Sequence, residues 1–196
     1  MILEGIVSTV DENGGLNIAP MGPRLVSGFD RFVLRPFSDS TTCRNLLRNR
    51  EGVLHVSDDV LLLARAAISK VSDVATRPAE RVSGKVLLDC CRYYEFRVAE
   101  VDDREERVSL VCESVFTGWI RDFLGFNRAK HAVIEVAILA TRLDFLPIAE
   151  VAVELFKFKR IVEKTSGAQE LEAFALLEAR IRNVATQRGF DMDQVR

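Results

Sequence analysis

Histidine and cysteine, two residue types that often bind metals or perform chemistry, are scarce in this sequence. The 196 residues include only two histidines, His55 and His131, and no two of the four cysteines form a Cys-x-x-Cys pair. This excludes a histidine-rich metal centre, a zinc finger and a thioredoxin-type redox pair, so we expect no metal site. All four cysteines are expected to be reduced and to behave as small apolar residues. They are Cys43, Cys90, Cys91 and Cys112.

The sequence also lacks long apolar runs and blocks of one charge. No stretch approaches the roughly 20 apolar residues that a membrane helix needs. The 27 Lys and Arg residues and 29 Asp and Glu residues are mixed along the chain and give a net charge of -2. Residues 1–5 have neither the basic region nor the apolar core of a signal peptide. We therefore expect a cytoplasmic protein whose partners are neither nucleic acids nor membranes.

Sequence motifs of the best-known enzyme classes are missing as well. There is no Gly-x-Gly-x-x-Gly after a strand, no P-loop, no Gly-x-Ser-x-Gly elbow and no His-Glu-x-x-His. The composition, 48% hydrophobic and 29% charged, is nevertheless that of a folded globular protein. Any difficult chemistry is therefore expected to come from an organic cofactor, and the sequence identifies no catalytic residue.

The first half of the chain is rich in strand patterns. Two β-type runs flank a turn sequence at residues 11–15 and predict a hairpin, whose second strand carries Pro20 and is therefore expected at an edge. Residues 94–98 and 108–112 alternate between apolar and polar side chains, which predicts a second antiparallel pair. Short helices are predicted after Ser40 and, over residues 60–68, with Ser57 as the cap.

From about residue 127 the apolar spacing becomes helical. Residues 129–143 are apolar on nearly every side, which predicts a helix buried between the strands and another layer. Pro147 and Gly167 mark the starts of two further helices. We therefore predict a β-barrel domain over residues 1–125 and a helical unit packed on it over residues 126–196.

The segment 35–45 has the residue types that a phosphate site requires. A helix that begins within it leaves backbone N–H groups without partners at the positive end of its dipole. Hydroxyl and guanidinium groups nearby are suited to converge on the same anion. The alternative is an ordinary helix cap with solvated arginines. The candidate anion ligands are Arg35, Ser40, Thr41, Thr42 and Arg44.

Two further segments are candidates for contact with a ligand. Small side chains over residues 17–22 let a planar ring approach the backbone, and Asn17 offers both a donor and an acceptor. The alternative is an edge strand that enters a turn. At the head of the apolar helix, Arg128 is placed to reach a ligand while Glu135 orients it; the alternative is a solvated helix face.

Several segments in the same order resemble an uncharacterised archaeal and bacterial family, the domain-of-unknown-function 447 family. The resemblance spans nearly the whole chain except residues 70–85 and the tail after Gly189. The matching segments are 17–22 (NIAPMG), 35–37 (RPF), 40–47 (STTCRNLL), 127–129 (NRA), 133–135 (VIE), 140–143 (ATRL) and 161–165 (IVEKT).

The resemblance implies an α+β fold: a split β-barrel like that of flavin reductases and pyridoxamine-phosphate oxidases, with a C-terminal helical unit. It also implies FMN as the cofactor and a homodimer with the cofactor near the subunit interface. Carried over by position, the phosphate ligands are Ser40, Thr41, Thr42 and Arg44, the ring contacts are Asn17, Ala19, Pro20 and Met21, and the helical unit contributes Asn127 and Arg128.

The resemblance implies a cofactor more firmly than a reaction. The first functional hypothesis is a flavin-dependent oxidoreductase or flavin reductase that acts on an unidentified small molecule. The alternatives are a non-catalytic homodimeric module that binds a flavin or a pterin, and a purely structural dimer. Stoichiometric cofactor in the purified protein distinguishes the last of these from the other two.

Overall fold

The strands of the β-rich half form a curled, antiparallel half-barrel in the computed structural model, which describes residues 1–194. Numbered in chain order, they are β1 (Gly5–Val10), β2 (Leu16–Met21), β3 (Arg24–Ser27), β4 (Arg31–Leu34), β5 (Glu51–Val56), β6 (Thr76–Pro78), β7 (Lys85–Leu87), β8 (Arg92–Asp102) and β9 (Ser109–Trp119). One sheet has the order β2-β1-β5-β8-β9-β4-β3, and β6 pairs with β7 in a small second sheet. The predicted hairpins β1–β2 and β8–β9 are confirmed, and Pro20 lies on an edge strand as predicted.

One face of the large sheet carries an apolar core to which α1 (Thr41–Asn49) contributes. Alternate residues of a strand point to the same face, so the short strands bring their apolar positions together there. Phe32 and Phe96 meet edge to face with ring centroids 5.3 Å apart, and Cys43 and Leu46 of α1 are fully buried in the same cluster. Burial of a leucine side chain contributes roughly 1.5–3 kcal/mol. The apolar side of α1 therefore fixes this helix on the sheet.

The β6–β7 hairpin packs on the opposite face of the sheet. Val53 of β5 clusters there with Val86 of β7. The carboxylate of Glu95, a fully buried residue of β8, accepts hydrogen bonds from the backbone N–H groups of Glu80 and Arg81 at 2.8 and 2.6 Å. Because each of its two side-chain oxygens accepts a backbone N–H, Glu95 holds the turn between β6 and β7 in place.

The other helices form a second compact unit. They are α2 (Val60–Ile68), α3 (Arg128–Thr141), α4 (Ile148–Thr165) and α5 (Ala168–Gln187), followed by a 3-10 turn at Met192–Gln194. The α3 helix packs on α2, α4 and α5. Gly167 directly precedes α5 as predicted, and Pro147, predicted in the first turn of its helix, directly precedes α4 as its N-cap. None of the helices that the structure describes is both long and apolar enough to cross a membrane.

The α2 helix differs from its prediction in two respects. It packs on α3 and α5 and belongs to the helical unit, which comprises residues 59–69 and the described residues from 124 onward. The β-unit comprises residues 1–58 and 70–123, whereas the sequence predicted a single boundary, after residue 125. Asp59 rather than Ser57 caps the helix, because its carboxylate accepts the N–H of Leu62 at 2.9 Å and Ser57 lies upstream of the capping position.

Candidate cofactor-binding site

The first turn of α1 brings several of the predicted phosphate ligands together. Ser40 caps this helix as predicted: its Oγ accepts the N–H of Cys43 at 3.1 Å and donates its proton to the carbonyl of Phe37 at 2.7 Å. Because a serine hydroxyl has a single proton, Ser40 has none left for an anion. The amide N–H groups of Thr41 and Thr42, in contrast, donate to no group within residues 1–194. Two backbone donors at the positive end of the helix dipole are thus available.

Arg44 lies across the same turn. One guanidinium nitrogen, Nη2, donates to Thr41 Oγ1 at 3.1 Å, and Nη1 donates to the backbone carbonyl of Asp39. Since Thr41 Oγ1 accepts this hydrogen bond, its own proton remains available for another acceptor. Both side chains are exposed, so a ligand from solvent can reach them. A guanidinium, a hydroxyl and two amide groups at one helix terminus are suited to bind an anion.

Asn17 of β2 connects the sheet to α1 through a polar network. Its Nδ2 donates to Thr9 Oγ1 at 3.2 Å and to Thr42 Oγ1 at 3.0 Å. Thr9 Oγ1 also accepts the Nδ2 of Asn45, at 3.0 Å. Thr9, Thr42 and Asn45 are buried, whereas Asn17 is half-buried. Because each contact joins a different element, the network fixes the edge strand relative to the first turn of α1.

The predicted ring contacts lie along β2, but not all on one face. Asn17, Ala19 and Met21 alternate along the strand and therefore share a face, whereas Pro20 points to the opposite face. Met21 packs against the apolar core. A ring lying on this face is thus placed to contact the first three side chains, while Pro20 contributes only through its backbone.

Arg35, the remaining predicted phosphate ligand of the β-unit, is paired differently from Arg44. Its Nη2 lies 2.6 Å from Oε2 of Glu105, and its carbonyl accepts a hydrogen bond from Arg107 at 3.3 Å. Its Nε is buried and has no hydrogen-bond partner within residues 1–194. This group is therefore a donor that a ligand can satisfy, and convergence of Arg35 with Arg44 on one anion stays a prediction.

Two models of one protein family match the chain. The N-terminal model of the "Protein of unknown function (DUF447)" family matches residues 3–120, and the model for the C-terminal part of that family matches residues 127–179. This chain belongs to the DUF447 family. The predicted resemblance is confirmed, and the two matched segments together cover most of the sequence.

Solved structures show the fold of this DUF447 chain. An FMN-bound DUF447 protein from Methanosarcina mazei is 22% identical, with a TM-score of 0.80 over 91% of this chain and 94% of that one. The 2-nitrobenzoate 2-nitroreductase of Pseudomonas fluorescens is 16% identical, with a TM-score of 0.50 over 59% of this chain and 64% of that one. An FMN-binding protein from Thermus thermophilus is 15% identical, with a TM-score of 0.51 over 60% of this chain and 70% of that one. The predicted split-barrel fold with C-terminal helices is thereby confirmed.

Asn127 and Arg128 lie at the start of α3 in the helical unit of the DUF447 chain. Asn127 caps the helix: its Oδ1 accepts the N–H of Lys130 at 3.1 Å and its Nδ2 donates to the carbonyl of Thr165 at 3.0 Å. Arg128 is exposed, as is Glu135. The structure thus gives Asn127 a role in the helical unit itself, and contact of either Asn127 or Arg128 with a cofactor stays a prediction.

The two histidines differ in environment. His55 is fully buried in β5, where its Nδ1 bonds to the carbonyl of Ile6 at 3.2 Å and its Nε2 accepts the N–H of Leu87 at 3.1 Å. Burial lowers the pKa of His55 to about 4, so this ring is neutral at physiological pH. This confirms the interpretation of His55 as a core residue. His131 is exposed and stacks on Phe126 with ring centroids 5.9 Å apart.

The four cysteines have free thiols, as predicted, and all four are buried. Burial raises the pKa of each, that of Cys90 to about 12, so the unreactive thiol form prevails. Within residues 1–194, no group of three or more histidine, cysteine, aspartate or glutamate side chains is placed to hold a metal ion.

Sequence reasoning missed two members of the polar network, Thr9 and Asn45. Asn45 follows Thr42 by one helical turn, so a helix over this segment places both on one side, a signal that the sequence did contain. No comparable signal exists for Thr9, which lies 36 residues from Asn45 on another element. Its role becomes visible only when β1 and α1 pack together.

Proposed function

We propose that this DUF447 chain binds FMN and acts as a flavin-dependent oxidoreductase or flavin reductase on a small-molecule substrate. The observation that carries the proposal is the first turn of α1. There the amide N–H groups of Thr41 and Thr42, the hydroxyl proton of Thr41 and the guanidinium of Arg44 are available to one anion. The terminal phosphate of FMN is such an anion. The FMN-bound protein from Methanosarcina mazei, a member of the same family, supports this assignment.

The strand next to this turn suits the ring of the same cofactor. Ala19 has a small side chain that lets a planar ring approach β2, and Asn17 offers a polar group beside it. The hydrogen bond from Asn17 to Thr42 joins the proposed ring site directly to the proposed phosphate site. The residues on this face therefore fit a ligand with an anionic end and a flat polar end.

Bound FMN supplies hydride or single-electron transfer, chemistry that no side chain provides. The chain contributes binding and orientation: Thr41, Thr42 and Arg44 hold the anionic end, and Asn17 and Ala19 position the ring. His55 takes no part in proton transfer, because it is buried and both of its ring nitrogens are bonded.

A non-catalytic module that binds a flavin or a pterin is the second candidate. The environment of His55 favours it, since one of the two histidines of the chain is committed to the core and cannot donate a proton to a substrate. In that case the same anion and ring contacts store or sense the ligand without turnover.

We further propose that the protein is a homodimer. Leu124 and Phe126 are 81% and 91% exposed in the single chain. Large apolar side chains with this exposure are typical of surfaces that associate, and association of identical chains is most often two-fold symmetric.

The visible absorption spectrum of the purified protein, before and after soaking in FMN and desalting, tests whether the protein binds FMN. One retained flavin per chain supports the proposal, and a spectrum without flavin after soaking contradicts it. Anaerobic addition of NADH or NADPH to the loaded protein then separates the two candidates. Loss of the flavin absorbance and its return with an electron acceptor favour an oxidoreductase, whereas an unchanged spectrum favours the binding module.

A further inference from the structure

We propose that Asn17 couples the phosphate site to the ring site and selects ligands whose ring presents an N–H group. This inference rests on the proposed function, because it assumes that a phosphate binds at α1 and a ring binds along β2. Thr42 and Thr9 act in it as positioning residues, since they orient the Asn17 amide.

The orientation of the network is set at its inner end by Arg48. A guanidinium nitrogen of Arg48, which can only donate, lies 3.2 Å from Oδ1 of Asn45. The Nδ2 of Asn45 is therefore the atom directed at Thr9 Oγ1, 3.0 Å away. Thr9 is buried and accepts this bond, so the orientation of the Asn45 amide is defined.

The Asn17 amide is held at one end by two hydroxyls. Its Nδ2 has two protons, and one is directed at Thr9 Oγ1 and the other at Thr42 Oγ1. Its Oδ1 accepts no hydrogen bond from any group within residues 1–194. Because Asn17 is only half-buried, this oxygen is the part of the amide that a ligand can contact. In this orientation Asn17 presents an acceptor and selects for a donor.

The Thr42 hydroxyl links this orientation to the anion. Its oxygen accepts the hydrogen bond from Asn17, and its single proton is donated to no group within residues 1–194. A phosphate at the first turn of α1 takes that proton. The reverse orientation of Asn17, with Oδ1 turned inward, requires the same proton for Asn17 itself. A bound phosphate therefore stabilises the orientation in which Oδ1 faces the ring.

This coupling predicts a selectivity that depends on the phosphate. The oxidised flavin ring has one N–H group, at N3, so methylation of N3 removes the only ring donor. With the phosphate present, Asn17 should favour a ring that donates a hydrogen bond to its Oδ1. Without the phosphate, the Asn17 amide can rotate and bind a ring edge that carries either a donor or an acceptor.

The experiment compares two ligand pairs by equilibrium titration of protein freed of flavin: FMN with 3-methyl-FMN, and riboflavin with 3-methylriboflavin. We expect the wild-type protein to prefer FMN over 3-methyl-FMN by roughly 10-fold, the value of one hydrogen bond. Riboflavin should be preferred over its methylated form by only about 2-fold, because no phosphate fixes the amide.

Variants then assign this selectivity to the named residues. Asn17→Leu, which keeps the side-chain volume, should bind the two members of each pair equally. Thr42→Val should lower the FMN preference to that of the riboflavin pair. Arg44→Ala should weaken both phosphorylated ligands equally and leave their ratio unchanged. Circular dichroism and thermal unfolding verify that each variant is folded.

The outcomes separate this inference from the proposed function. Equal preference in the two wild-type pairs, or a preference that survives in Asn17→Leu, overturns the coupling while FMN binding stands. A protein that binds neither FMN nor riboflavin overturns the proposed function, and the coupling with it.

Discussion

The guanidinium of Arg121 lies 2.6 Å from the carboxylate of Asp58, whose side chain is only 2% exposed. Arg121 also contacts Asp89 at 2.6 Å, and hydrogen bonds to these two carboxylates raise the pKa of the guanidinium further above its usual range. The pair joins the end of β5 to the segment that follows β9. It therefore connects two segments of the β-unit that are distant in sequence.

Removal of Arg121 should destabilise the β-unit strongly. Arg121→Ala removes the guanidinium that pairs with the buried Asp58 carboxylate, a change that costs about 3–5 kcal/mol. Urea unfolding at neutral pH measures the loss. Arg104→Ala, which removes an exposed arginine paired with Asp102, is the matched control and should change stability little, because solvent screens an exposed ion pair. Equal effects of the two changes would mean that the Asp58 pair is no stronger than a surface ion pair.

The sequence predicted the features that short segments determine. The β1–β2 hairpin follows from the turn chemistry of residues 11–15, and Ser40 caps α1 because a hydroxyl precedes a helical pattern directly. The predicted cap of α2 was wrong. Two acidic residues separate Ser57 from the helix, and the second of them, Asp59, is the cap. Local chemistry thus predicts a cap but cannot always choose among adjacent candidates.

Features that depend on packing were not predictable in the same way. The Asn17–Thr42 contact joins residues 25 positions apart, and the Arg121–Asp58 pair joins residues 63 positions apart. The apolar composition of α2 predicts that the helix is buried but does not identify the elements that bury it. Only the structure shows that it packs on α3 and α5. For the candidate site, the residue types at α1 were predictable from sequence, but their hydrogen-bond assignments were not.

The buried His55 should make stability depend on pH. Its pKa is about 4 in the folded protein and 6.5 in a model peptide, so the fold favours the neutral ring. The stability that this contributes is fully present above pH 6.5 and is lost as the pH falls toward 4. Each pKa unit corresponds to about 1.4 kcal/mol, which gives a loss of about 3 kcal/mol over this range. Urea unfolding at pH 7, 6, 5 and 4 measures it.

His55→Gln provides the control for this prediction, because glutamine keeps a donor and an acceptor but does not titrate. The variant should be less stable at pH 7 and should lose less of its remaining stability between pH 7 and 5. Parallel pH profiles for the two proteins would show that other groups cause the dependence.

The Glu95 carboxylate should control the rigidity of the β6–β7 turn. Glu95→Gln replaces one of the two acceptor oxygens with a donor that faces a backbone N–H, which should cost about 1–3 kcal/mol. The measurement is hydrogen exchange at Glu80 and Arg81, whose amides should exchange faster than in the wild type. Exchange at the β1–β2 turn, which Asp11 stabilises independently, should stay unchanged. Uniformly faster exchange at both turns would indicate global rather than local destabilisation.

The proposed homodimer should depend on the exposed apolar side chains that precede α3. Phe126→Ser removes the most exposed of these, and light scattering at micromolar concentration should show a shift from dimer toward monomer. Phe145→Ser, which changes another exposed phenylalanine of the helical unit, should leave the dimer intact. A wild-type protein that is monomeric under these conditions contradicts the proposal itself.

Arg44 should contribute to affinity for FMN but not for riboflavin, because only FMN carries the phosphate. Arg44→Ala removes a charged donor at the first turn of α1 and should weaken FMN binding by about 1.5–3 kcal/mol, or roughly 10- to 150-fold. Fluorescence titration with each ligand measures both affinities. Arg48→Ala, which removes the other arginine side chain of α1, should have a smaller effect on the phosphate, since its guanidinium donates to the carbonyl of Val10 and the amide of Asn45. An equal loss for FMN and riboflavin in Arg44→Ala would place the phosphate elsewhere. Arg35, whose buried Nε has no hydrogen-bond partner among the described residues, would then be the next guanidinium to test.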